Sequence, residues 1–126
     1  MGGRRAARRT ALFLLYQWDL TGQPLAALYE GEIDPFSREL AEAVAAESDD
    51  LDRAIDGASD AWPADRLGVL ERNILRIGLY ELAHDTVPVE VAISEAVNLA
   101  KRYASDEAGA LVNGILARVA KERVAQ

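Results

Sequence analysis

The sequence predicts an all-α protein of about six or seven helices. Two observations carry this. Apolar residues recur at i, i+3/i+4 and i+7 in every long segment, and no stretch alternates with period two for long enough to form a strand. Glycine, proline and capping residues then punctuate the periodic segments. The length of 126 residues suits one domain with a real core.

In the first helix Ala7, Ala11, Leu14, Leu15 and Trp18 share one face, with Arg5, Arg9, Leu12 and Tyr16 beside it. Gly22 and Pro24 stop this helix, and a short turn over 25–29 follows. Asp34-Pro35 is a start signal, an N-cap acid followed by proline at the first helical position. The helix from Pro35 to Ala46 buries Phe36, Leu40, Ala43 and Val44. Ser48 caps the next helix, which turns Leu51, Ala54, Ile55 and Ala58 inward and Asp52, Asp56 and Asp60 outward as a solvated face. Trp62-Pro63 breaks the chain near its midpoint.

The helix from Val69 to His84 is the most apolar, with Leu70, Ile74, Ile77, Leu79 and Leu82 leaving only a narrow polar stripe, the pattern of a central helix. Val87-Pro88 restarts the chain, and an apolar series through Ala92 and Ala96 runs to Tyr103. Ser105 caps the last helix, with Asp106 and Glu107 in its first turn and Leu111, Val112, Ile115, Leu116 and Val119 inward. Asn113-Gly114 lies inside that 3.6-residue period and reads as helical, Gly114 permitting close packing.

Composition excludes most chemistry. Cysteine is absent and His84 is the single histidine, so disulfides, thiolate chemistry, nucleophile–base triads and zinc clusters lack their parts. Glu81-x-x-His84 is half of a di-iron carboxylate motif, but no second Glu-x-x-His exists, and the histidine reads as a cation near a helix C-terminus. The acidic row from Asp49 to Asp60 lacks the spacing and glycine of a calcium loop. The expectation is no metal, no cofactor and no catalysis. Residues 11–16 form an apolar run too short for a secretory core or a membrane span. A cytoplasmic protein is expected.

The formal net charge is −7, unevenly spread. Residues 1–29 carry four arginines against Asp19, a net of +3, whereas residues 30–65 carry twelve acids against Arg38 and Arg53, a net of −10. A basic end on an acidic chain can point at an anion while the rest repels it. Arginine pairs with phosphate in bidentate fashion, and a basic arm (1–9) leading to Tyr16 combines charge with an aromatic face, as single-stranded nucleic acid requires. The same arginines are equally compatible with solvation of a helix end. A second row, Arg72, Arg76, Tyr80 and His84, reads as the surface edge of a buried helix.

Three stretches, "RRAARRTALFLLYQWDL", "LERNILRIGLYEL" and "VPVEVAISEAVNLAKRYASDEAGALVNGILARV", together resemble the NusB family of transcription antitermination factors. The first carries the family's Arg-Arg-x-Ala-Arg (Arg4, Arg5, Ala7, Arg8) and Leu-Tyr-x-Trp (Leu15, Tyr16, Trp18). The second carries Ile-Leu-Arg-Ile and Tyr-Glu-Leu, with Arg76, Tyr80 and Glu81. The third carries Pro88, Ala92-Ile93-x-Glu95-Ala96, Leu99-Ala100-Lys101 and Val112-Asn113-Gly114. Residues 23–65 match only in pattern.

The resemblance implies a single RNA-binding domain of two small helical bundles packed at an angle, an N-terminal half at about 4–62 and a C-terminal half at about 64–124. It implies pairing with the small-subunit ribosomal protein that doubles as NusE. The pair would recognise single-stranded boxA RNA in ribosomal RNA leaders and help RNA polymerase read through terminators. Some members self-associate through the RNA-binding side. Arg4, Arg5 and Arg8 match the RNA-binding arm, and Arg9 adds a cation where an acid is common. Tyr16, Glu71 and Arg76 match positions at or near the RNA and ribosomal-protein surfaces, with Arg72 beside them.

Glu107 and Leu111 fall where the family often places Asp and Phe against RNA, so one stacking ring is lost; Ala6 replaces an arginine of some members. The acidic middle is expected to face away from the transcript. A protein-only helical adaptor, or a NusB-like accessory domain of a ribosomal RNA methyltransferase, would share the fold. No S-adenosylmethionine-binding αβ unit follows in this sequence, so a stand-alone factor is expected.

Overall fold

Among the described residues six helices account for the architecture: α1 (Gly3–Thr21), α2 (Pro35–Ala46), α3 (Ser48–Ala58), α4 (Val69–His84), α5 (Val89–Tyr103) and α6 (Asp106–Ala125). Single 3-10 turns at Leu25–Ala27 and Ala64–Arg66 join them. The structure, a computed structural model, describes residues 3–60 and 63–125, and no strand occurs among these. Trp62, half of the expected midpoint break, lies outside the described residues.

Most boundaries follow the expected chemistry. Asp34 Oδ1 accepts from Phe36 N at 2.8 Å to cap α2, and Ser105 Oγ accepts from Ala108 N at 3.0 Å to cap α6. Gly22, at φ +75°, takes the left-handed turn just past α1 that favours glycine. Ser48 does not cap α3: it is the first helical residue, Glu47 occupies the cap position, and no side chain bonds there.

α4 packs against all five other helices, as its apolar circumference requires. One contiguous cluster of buried side chains runs from Ala11 and Leu15 through Leu40, Ile55 and Ile74 to Leu116. α1 runs antiparallel to α4 and meets α2 closely enough for Ser37 Oγ to donate to Ala7 O at 2.9 Å. Gly114 is not tightly packed, since an added Cβ there would meet open space. Gly78 does sit tightly between helices: a Cβ there would lie 2.7 Å from Leu116 Cδ1 and 3.4 Å from Ala96 Cβ, so α4, α5 and α6 close on one another.

Candidate nucleic-acid interface

The basic segment is helical from Gly3 rather than a loose arm. A helix fans consecutive side chains by about 100°, so the four arginines reach different neighbours. The Arg4 guanidinium lies over the Phe36 ring of α2 at 4.8 Å. Arg5 Nε donates to Glu95 Oε1 of α5 at 2.9 Å from an exposed position. Arg8 is 3% exposed and grips both oxygens of buried Glu81 on α4, Nε and Nη2 donating at 2.9 Å. Arg9 is half-buried and meets no carboxylate within ion-pair distance among the described residues.

This corrects the expectation for Arg8. Its donors already satisfy Glu81, and breaking a buried pair to free one partner costs about 3–5 kcal/mol. Arg8 pins the first turns of α1 to α4, with these donors engaged at Glu81.

Arg76 is corrected for the same reason. It is 5% exposed, with Nε and Nη2 each donating at 2.7 Å to Asp52 of α3 and Nη1 donating at 2.9 Å to Asp19 of α1. Burial opposes its charge, but the hydrogen bonds and charges of Asp52 and Asp19 outweigh burial and raise its pKa. Asp19 Oδ2 also accepts from Arg72 Nε at 2.9 Å and Asn73 Nδ2 at 3.0 Å. Arg72 further donates to the carbonyls of Ala64 and Leu67, so its guanidinium is not free for a partner protein.

The row Arg72, Arg76, Tyr80, His84 is engaged within the protein along most of its length and reaches the surface at exposed His84. It is a seam against carboxylates of α1 and α3 and the α2–α3 junction. His84 stacks on Tyr80 at 4.3 Å and meets both Glu47 oxygens at 3.0 Å. Glu81 and His84 thus serve different partners. Of the acidic row, exposed Asp56 also accepts from Ala64 N at 2.7 Å, while Asp60, just past α3, stays exposed and meets Arg118 Nη1 at 3.0 Å at the surface.

Two clefts gather the remaining residues. One, of about 130 Å³, lies between the first turns of α1 and the second half of α5. Arg5 and Arg9 face Glu95, Asn98, Arg102 and Tyr103 across it. Phe13, 41% exposed, meets Tyr103 edge-on at 5.1 Å. The other, of about 420 Å³, brings Glu71, Glu107 and Leu111 together with Arg66, Gly68 and Ser105. Its two carboxylates against one guanidinium disfavour phosphate and favour amino or guanidinium donors, from a base edge or a basic protein. Tyr16 is half-buried two turns beyond Arg9 and lines neither cleft.

Phe13, Asn98, Arg102 and Tyr103 were not singled out from sequence. Lys101-Arg102-Tyr103 does combine bases with an aromatic ring, the signal that marked the N-terminus. Among the described residues no three His, Cys, Asp or Glu side chains converge as a metal set, and no helix is long and apolar enough to cross a membrane.

Comparison with known proteins agrees with the all-α fold. The NusB family profile matches residues 5–121. The transcription antitermination protein NusB of Rubrobacter xylanophilus is 41% identical over 128 residues, covering 96% of this chain and 91% of the relative. A crystal structure of T. maritima NusB superposes with a TM-score of 0.83 at 32% identity, covering 94% of this chain and 91% of that one. A crystal structure of the antitermination factors NusB and NusE in complex with dsRNA gives a TM-score of 0.83 at 30% identity, covering 97% and 98%. With a family profile spanning nearly the whole chain and relatives alike along their full length, this chain belongs to the NusB family.

Proposed function

We propose that the chain is a non-catalytic, cytoplasmic antitermination factor that pairs with NusE and binds boxA-type RNA in ribosomal RNA leader transcripts, helping RNA polymerase pass terminators. The observation that carries this reading is the group of accessible arginines on the first turns of α1, Arg4, Arg5 and Arg9, on a family fold whose relative is crystallised with NusE and dsRNA. In this reading Arg8 and Arg76 hold the surface rather than touch RNA. Glu107 accepts from a base edge beside Leu111, Tyr16 extends the surface along α1, and Glu71 meets NusE.

The test is binding of a fluorescent boxA RNA across a salt series, with and without NusE, against scrambled and duplex RNA. The pair is expected to prefer boxA, and Arg4, Arg5 and Arg9→Ala to reduce both affinity and salt slope, by about 0.7 for each phosphate no longer neutralised. Arg8 is left intact because its removal would perturb the fold. NusE binding with RNA affinity indifferent to sequence and arginines would instead identify a protein-only adaptor.

A further inference from the structure

We propose that the cleft between α1 and α5 takes one unstacked nucleotide of the RNA, with Arg102 and Arg9 on its phosphate and Tyr103 against its base. This rests on the RNA-binding reading and extends it to α5, where no contact was expected.

Arg9 and Arg102 line the cleft from the two helices, and neither meets a carboxylate within ion-pair distance among the described residues. Both α4 arginines, by contrast, are paired with carboxylates. Two guanidiniums without a counter-charge attract a phosphate and match its geometry. The cleft's one acid, Glu95, is paired with exposed Arg5 at 2.9 Å, which lessens its repulsion of an entering anion.

The aromatic contribution comes from the same place. Tyr103 is half-buried, meets exposed Phe13 edge-on at 5.1 Å and lies under the Arg102 guanidinium at 5.4 Å, so ring and cation already form one group at the end of α5. Asn98 supplies both a donor and an acceptor on the cleft wall for a base edge. The cleft, of about 130 Å³, is small and open to one side. Rings together with arginines favour a nucleotide over an acidic peptide, which would use the charges and leave the rings idle.

The test uses the full chain with NusE and a fluorescent single-stranded boxA-type RNA across a salt series. Arg102→Ala, on an exposed side chain, is expected to lower the log–log salt slope by about 0.7. Tyr103→Leu is expected to weaken binding roughly 5- to 150-fold. Tyr103→Phe keeps the ring and should bind like the parent. Arg38→Ala, exposed on α2 outside the cleft, should change nothing. Circular dichroism melts confirm that each variant is folded, and Arg102→Ala decides the matter should Tyr103→Leu unfold.

Unchanged affinity and slope for Arg102→Ala, while Arg9→Ala reduces both, would overturn the cleft and leave the RNA-binding function standing. Loss of NusE affinity with RNA binding intact would make the cleft a protein-docking surface and overturn it too. A parent chain that binds no RNA, alone or with NusE, would remove the reading on which the cleft depends.

Discussion

Arg9 on α1 and Arg76 on α4 are the same side chain on adjacent antiparallel helices, and they have opposite surroundings. Arg76 is closed in by Asp52 and Asp19, with its donors satisfied at 2.7–2.9 Å. Arg9 lines a cleft and meets no carboxylate within ion-pair distance among the described residues. A guanidinium inside a carboxylate cage holds helices together and has nothing left for a ligand. One without a counter-charge does little for the fold and is available to an anion. Arg8 sharpens the contrast, since it neighbours Arg9 in sequence yet belongs with Arg76.

The sharpest way to break the comparison is Arg8→Ala. It strands the Glu81 carboxylate in the core and should destabilise the protein by about 3–5 kcal/mol, read by urea unfolding. A change near zero would return Arg8 to the binding surface. Asp19→Asn should cost less, about 1.5–3 kcal/mol, because Arg76 keeps its two bonds to Asp52. Arg9→Ala should leave stability within about 0.5 kcal/mol while lowering RNA affinity and salt slope. Equal destabilisation by Arg8→Ala and Arg9→Ala would erase the distinction. Smallest of all, a double-mutant cycle on exposed Arg5 and Glu95 should give a coupling of about 0.2–1 kcal/mol that fades with added salt.

The fold was legible in the sequence because periodicity and caps are local. Asp34, Gly22, Pro88 and Ser105 mark ends through bonds within a few residues, and α4 announces its burial by its own apolar circumference. The site was legible only in part, because a charged residue does not say who answers it. Arg8 and Arg9 are adjacent letters, but Glu81 stands 73 residues away from Arg8. Asp52 reads as one acid in a solvated row until α3 is laid against α4. Arg102 and Tyr103 were passed over because only the packed fold brings the end of α5 beside the start of α1. Gly114 and Gly78 fail the same way: spacing places a glycine in a helix, while the partner helix decides whether the missing Cβ matters.

That α1 begins at Gly3 and is pinned at Arg8 has a consequence for how RNA would be read. A loose arm would lose about 1–2 kcal/mol of backbone entropy for each residue ordered on binding. Here that ordering is complete beforehand, and Arg5 and Arg9 stand four residues apart on a rigid rod, a rise of about 6 Å. The helix therefore works as a ruler, and the strand must bring its phosphates to the marks. One residue inserted between Arg5 and Arg8 would swing Arg4 and Arg5 by about 100° and leave the marks misaligned without removing any charge.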